Sequence, residues 1–233
     1  MPKIYYNKFI PASTDENTLA LLHFDDENDV AKDECGNEWT VYGSPTVQTD
    51  ANVFNGRPSL WLNGSSYLKT DGILLPQTFT VEARIKTGST VPSTSQILGQ
   101  HRYGSTIDWG FIIWSGTLAF DSGFKRNTTM ITPNANTEYH LAACVDSSNV
   151  LRCFVDGVSV AQVTVSETRY NRSAFTVGAS ENPSLYFSGY IEFVRISNIC
   201  RWTENFTPPT APYVLQMEDR LVTKSIEVAE VED

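Results

Sequence analysis

Carboxylates are the first place to look for chemistry in this chain. Hydrolysis of a sugar polymer needs two of them projecting into one cleft, one acting as acid and the other attacking or activating water. On a strand that means alternating positions, because successive side chains point to opposite faces. The sequence has no such run, and its acidic cluster beside a strand, Asp25-Asp26-Glu27, is consecutive, so the side chains splay apart. The three histidines, His23, His101 and His140, are dispersed and lack a neighbouring Ser or Cys motif. His23 and His140 sit in strand-like runs, where a packed, hydrogen-bonded imidazole is the expectation. No glycine-rich phosphate loop leads into a helix. The pattern predicts a protein that is not an enzyme.

Binding chemistry has better candidates. Tyr and Trp rings stack on the C–H faces of sugars, while nearby amide, carboxylate or guanidinium groups bond the hydroxyls. The loop QHRYGSTIDW offers His101, Arg102, Tyr103 and Trp109, and the loop ENPSLYF offers Asn182 and Tyr186. For Trp109, as for Trp61 and Trp114, a strand-like position makes core packing the competing role.

These loops must be carried by strands. GYIEFVRISN, from Gly189, alternates Tyr190, Glu192, Val194 and Ile196 with Ile191, Phe193, Arg195 and Ser197, and is apolar on both faces. Such a strand belongs inside a sheet, and Asn205 to Pro209 end it, since prolines donate no ladder hydrogen bond. TLALLHF (18–24) reads the same way. FTVEARIK (79–86) is amphipathic, with Phe79, Val81, Ala83 and Ile85 on one face and Thr80, Glu82, Arg84 and Lys86 on the other. Residues 138–145 and 150–155 read as a hairpin about the turn 146–149. If Val145 faces Val150, Cys144 lies opposite Leu151 and Cys153 opposite Ala142, too far apart for a disulfide. Further strands are expected at 38–42, 59–62, 66–68, 96–100, 109–114, 117–120 and 175–179, with turn signals such as Asn63-Gly64 between them. Two packed antiparallel sheets follow.

The bulk properties agree with one all-β domain. The chain has 233 residues, 41% hydrophobic and 19% charged, enough to fill a core. A formal net charge of −10 excludes nucleic acid as a natural partner. No apolar run reaches the ~18 residues of a membrane span, and the first residues lack a signal-peptide core. Cys35, Cys144, Cys153 and Cys200 show no C-x-x-C spacing, so free thiols packed as small hydrophobes are expected, with no zinc site. Residues 1–17 read as an N-terminal arm and the acidic 214–233 as a peripheral extension.

Several segments carry a family resemblance. RISNICRWTENFTPPTAPY resembles the end of laminin-G-like domains of bacteriophage virion proteins and phage-derived bacterial proteins, within the concanavalin A-like lectin/glucanase superfamily. LLHFD, SLWLNGSSYL and EYHLAACVDSSNVLRCFVDGVSVAQ resemble the opening strand, an early hairpin and the Asp-Gly hairpin of the same domains. The resemblance spans about residues 18–213 and implies an all-β antiparallel β-sandwich, a jellyroll, whose first and last strands pair. It implies one more strand after the Asp156-Gly157 turn, and Trp202 covering the sandwich end. It also implies a structural calcium. Asp25, Glu192 and the Asn63-Gly64 turn would supply oxygens, calcium taking six to eight of them, although the family's Ile-Asp-Glu reads Ile191-Glu192-Phe193 here. The implied role is a non-catalytic module on a phage particle: a tail fibre, receptor-binding or surface decoration protein contacting host or environmental glycans. Other virion proteins and sister subunits are the implied partners. The alternatives are a purely structural virion protein and a divergent polysaccharide-degrading enzyme.

Overall fold

The computed structural model describes residues 15–100, 109–122, 128–165 and 174–209. The first half of the chain supplies β1 (Thr18–Leu22), β2 (Thr40–Tyr42), β3 (Thr46–Gln48), β4 (Ser59–Asn63), β5 (Tyr67–Asp71), β6 (Phe79–Thr87) and β7 (Thr94–Gly99). The second supplies β8 (Trp109–Trp114), β9 (Thr117–Ser122), β10 (Thr128–Ile131), β11 (Glu138–Val145), β12 (Val150–Val155), β13 (Val158–Thr164), β14 (Ala174–Val177) and β15 (Ser188–Ser197). Among the described residues the helical content is a single 3-10 turn, Phe54–Gly56. The expected arm and acidic tail fall almost wholly outside the described residues.

The strands form two antiparallel sheets packed as a sandwich, the expected jellyroll class. One sheet, A, runs β13–β12–β11–β6–β15–β4–β3, with β1 also paired to β15; the other, B, runs β10–β9–β8–β7–β14–β5–β2. Period-two alternation builds the core between them. Phe79, Val81, Ala83 and Ile85 of β6 point inward with Leu141, Ala143 and Val145 of β11, against Phe111, Ile113, Phe120, Phe175 and Val177 of sheet B.

The first and last strands pair as expected, Thr18 opposite Ser197 and Leu22 opposite Val194. Three details differ from the sequence reading. β1 stops at Leu22 instead of Phe24, whose φ of 53° breaks the extended run. β15 does not alternate uniformly: a bulge between Ile191 and Phe193 shifts the phase, so Ile191, Val194 and Ile196 all enter the core. The hairpin register is displaced by one residue. Val145 faces Leu151, Cys144 faces Arg152 and Cys153 faces Ala143. Asn149, at φ 59°, lengthens the turn, and Asp146 N–H donates to the Val150 carbonyl across it. Cys153 therefore joins the central core, while Cys144 lies on the opposite side of sheet A.

That outer side of sheet A is roofed by the segment after β15. Phe206 N–H donates to Gly157 O at 2.9 Å and Ser159 N–H to the Asn205 side chain at 2.9 Å, tying the roof to the β12–β13 turn. The turn requires glycine: Gly157 has φ +76°, and a Cβ there would lie 1.9 Å from Phe206 O.

Candidate functional site

The outer face of sheet B, at its β2–β5 edge, presents a cluster of three tyrosines. Tyr42 and Tyr67 are directly paired across β2 and β5, and their rings stack with centroids 4.5 Å apart and planes within 3°. Tyr186, from the loop between β14 and β15, meets Tyr67 edge-on at 6.2 Å. Tyr67 is the buried member, while Tyr42 is 41% exposed and offers a free ring face. Burial, and after it the Tyr42 and Tyr186 phenols, push the Tyr67 hydroxyl above its ordinary pKa. The three contacting phenols give the cluster both an apolar surface and hydrogen-bonding hydroxyls.

Each ring is held by its surroundings. The chain turns immediately after Tyr42 at Gly43, φ +75°, where a Cβ would lie 2.9 Å from both Ser65 O and Ser66 Cβ. Tyr186 sits between two anchors. Leu185 O accepts from Gln96 N–H at 2.7 Å, and Phe187 N–H donates to Gly178 O at 2.8 Å with its ring fully buried. The loop is further knotted by hydroxyls: Ser180 Oγ donates to Asn182 O at 2.7 Å, and Ser184 Oγ to the same carbonyl at 3.0 Å. Beside Tyr67, two positions along β5, Lys69 lies opposite Thr40 on one side and Thr176 on the other. The Lys69 ammonium and the exposed Thr40 hydroxyl thus border the aromatic surface, with Asp71 3.9 Å from Lys69, whereas Thr176 is fully buried, its hydroxyl bonded to Ala179 O at 2.6 Å.

Of the ligand candidates read from sequence, Tyr186 belongs to this cluster, and Asn182 lies exposed at the tip of the same loop. His101, Arg102 and Tyr103 lie outside the described residues. Trp109 is corrected: it is 2% exposed, packed edge-on against Phe79 at 4.8 Å and near Phe120 at 6.1 Å, so it belongs to the core. Trp61 and Trp114 depart from the core reading the other way. Trp61 is half-buried against Tyr190, with centroids 4.6 Å apart, and Trp114 is exposed at the end of β8. Tyr42 and Tyr67 were missed. Their signal was a tyrosine at the outward phase of each of two short strands, but nothing in the sequence says that these strands are neighbours.

The carboxylates are committed elsewhere. Glu82 of β6, fully buried, accepts from Arg195 Nε and lies 3.1 Å from His140 Nε2. Trp202 and Phe206, stacked at 3.9 Å, lie over this trio; His140 meets the Phe206 ring at 5.7 Å. Trp202 therefore covers the outer face of sheet A, a correction to its expected place at the sandwich end. Farther along the same face, Glu192 pairs with Arg57 and, at 3.1 Å, with Arg84. Arg84 also reaches Glu138 at 3.2 Å, and Glu138 accepts from Phe54 N–H at 2.7 Å. Burial raises the Glu192 carboxyl above its usual pKa, although Arg84 and Arg57 pull the other way.

A laminin-G family model, described as the concanavalin A-like lectin/glucanases superfamily, matches residues 62–204, well over half of the chain. The chain belongs to this superfamily. No curated protein sequence matches it closely. Among solved structures it is similar to domain 4 of AbnA, a GH43 extracellular arabinanase from Geobacillus stearothermophilus, in complex with arabinotriose. There the identity is 19% and the TM-score 0.64, over 79% of this chain and 93% of that one. It is similar to botulinum neurotoxin type C, whose cell entry depends on two ganglioside molecules, at 13% identity and TM-score 0.58, over 79% of this chain and 48% of that one. A Trypanosoma rangeli sialidase mutant with trans-sialidase activity aligns at 15% identity and TM-score 0.58, over 79% of this chain and 31% of that one. The chain spans half or less of the toxin and sialidase chains, and these likenesses concern the fold.

The expected calcium rests on the resemblance, so the fit of Asp25, Asn63 and Glu192 matters. They are not arranged as one ligand set. Glu192 faces two guanidinium groups. The Asn63 side-chain oxygen accepts from Ser65 N–H at 3.0 Å and lies within 3.1 Å of the Ser65 and Ser66 hydroxyls, capping its own turn. Asp25 is exposed and lines an open recess of about 590 Å³ with Asp26, Glu27, Asn28 and Lys32. Among the described residues no group of three or more His, Cys, Asp or Glu side chains could hold a metal ion. As they stand, these residues do not fit calcium, because two arginines already neutralise the most buried acid of the set.

Proposed function

We propose that this superfamily member is a non-catalytic glycan-binding module and that the Tyr42–Tyr67–Tyr186 face receives the sugar. The carrying observation is the cluster itself: three contacting tyrosines on the outer face of a sheet, Tyr42 exposed, bordered by Lys69 and Thr40. Aromatic faces stack on pyranose or furanose C–H surfaces, while phenol, ammonium and hydroxyl groups bond the sugar hydroxyls. Because the rings are held before any ligand arrives, little ordering cost opposes binding. The superfamily membership supports the reading, as do fold neighbours whose descriptions name arabinotriose and gangliosides.

A binding role without turnover fits the position of the buried acids. Glu82 and His140, which have the chemistry of an acid–base pair, lie under Trp202 and Phe206 and are bonded to each other, with Glu82 also held by Arg195. The setting we propose is a phage virion, in a tail fibre, receptor-binding or decoration protein. It rests on the resemblance of the closing segment 195–213 to virion laminin-G-like domains.

A glycan array probed with purified protein, alongside Tyr42→Ala and Tyr186→Ala, tests this reading. Binding to a defined glycan class that both substitutions weaken is expected. No binding by folded wild-type protein would overturn it in favour of a structural virion component, and sugar release from a polysaccharide panel would overturn the non-catalytic part.

A further inference from the structure

Two of the four cysteines are brought together although 55 positions separate them in the chain. Cys144 lies on β11, on the outer face of sheet A, with Thr80 of β6 opposite it and Ser197 of β15 opposite Thr80 in turn. After Ser197 the chain does not continue outward; it folds back across β6. Thr80 Oγ1 fixes this reversal, donating to Ile199 O at 2.8 Å and accepting from Arg201 N–H at 2.9 Å. The same oxygen lies 3.3 Å from Cys144 Sγ. Cys200, between those two anchors, therefore packs with Trp202 and Phe206 on Ala142, Cys144 and Phe154. The Cys200 thiol thus lies on the small apolar patch that contains Cys144, where it donates to Trp202 O at 3.4 Å.

We propose that Cys144 and Cys200 are a reactive dithiol that closes to an intramolecular disulfide in an oxidising thiol–disulfide environment, stapling the Trp202–Phe206 roof to sheet A. The two sulfurs have unequal roles. Cys200 is half-buried and within reach of solvent, whereas Cys144 is fully buried. The Cys144 thiol lowers that of Cys200 to about 7, against burial and Asp146 and with help from Arg152. Burial pushes Cys144 well above its ordinary value. Cys200 is thus the thiolate that attacks a low-molecular-weight disulfide such as glutathione disulfide. One glutathione leaves as thiol, and a mixed disulfide forms at Cys200. Cys144 then gives up its proton and attacks the Cys200 sulfur, expelling the second glutathione. Two protein thiols and one glutathione disulfide become one protein disulfide and two glutathione thiols. The remaining cysteines are poor competitors. Cys153 is buried in the central core, and burial together with Asp33 pushes the Cys35 thiol up to about 12.

The test is incubation of the full chain with glutathione disulfide at pH 8, followed by intact mass, non-reducing peptide mapping and thermal melts with and without dithiothreitol. The expected product is lighter by two hydrogens, gives a linked peptide joining Cys144 to Cys200, and melts higher by about 5–10 °C, as closure of a long loop predicts. Cys200→Ser abolishes all three signals and Cys35→Ser abolishes none. The wild-type map decides the matter even if Cys144→Ser fails to fold. Four free thiols after incubation, a persistent glutathione adduct at Cys200, or a linked peptide joining any other pair would each overturn the proposal.

Discussion

The two sheets use their outer faces in opposite ways. On sheet A the outward positions of β6, β11 and β15 carry the ionisable side chains Glu82, Arg84, His140 and Arg195, and other segments of the chain cover them. On sheet B the outward positions at the β2–β5 edge carry tyrosines and hydroxyls, and Tyr42 stays open to solvent. A buried ion network is costly to assemble and costlier to break, because removing one partner strands the others in a low-dielectric setting. An exposed aromatic cluster adds little stability and leaves surface for a ligand. Charge on one face is architecture; the aromatic surface on the other is the proposed sugar site.

Substitutions on the two faces should therefore separate stability from binding. The largest effect is expected from Glu82→Ala, which leaves Arg195 and His140 buried without their carboxylate; a loss of about 3–5 kcal/mol in urea unfolding is expected. Arg84→Ala comes next, at about 2–4 kcal/mol, since Glu192 and Glu138 both lose a partner. Because Arg84 and Arg57 supply the positive charge at Glu192, chelation with EDTA is expected to leave the wild-type Tm unchanged; a fall of several degrees would return calcium to this site.

Tyr42→Ala should show the reverse pattern, with glycan affinity falling about tenfold while the Tm moves by no more than about 2 °C. Tyr42→Phe, which keeps the stacking face, should lose less. A smaller effect is expected in acid. The Arg201 guanidinium beside Asp15 holds its carboxyl well below the usual carboxylate range, its Nη atoms lying 2.8 and 2.9 Å away. The folded pKa is depressed, so this contribution is present above the unfolded pKa of about 3.9 and fades as the pH falls below it. Asp15→Asn should flatten the Tm-versus-pH curve between about pH 4 and 2 and leave sheet B binding untouched.

The contrast between the faces also explains what the sequence disclosed. Strand existence was legible wherever alternation was long, as in 79–86, 138–145 and 189–197, whereas the pairing of the first strand with the last came from the family resemblance. Short strands such as 46–48 and 128–131 carry too few residues for a period to show. The polar phase of FTVEARIK was read correctly, but polarity there does not mean exposure. Glu82 is fully buried because segments distant in sequence cover it, and local periodicity has no access to such contacts. The Ile191–Phe193 bulge was hidden for a similar reason: an extra residue is defined against a partner strand, not within one. Only one half of the tyrosine site was visible, since Tyr186 lies in a recognisable loop whereas Tyr42 and Tyr67 meet through strand pairing.

The most direct test of this division is an NMR titration of the protein with the glycan selected on the array, following the assigned aromatic ring signals. The account predicts shifts at Tyr42, Tyr67 and Tyr186, with Trp202 and Phe206 unmoved. Shifts confined to the Trp202–Phe206 roof, or tyrosines that stay still while the sugar binds, would contradict it.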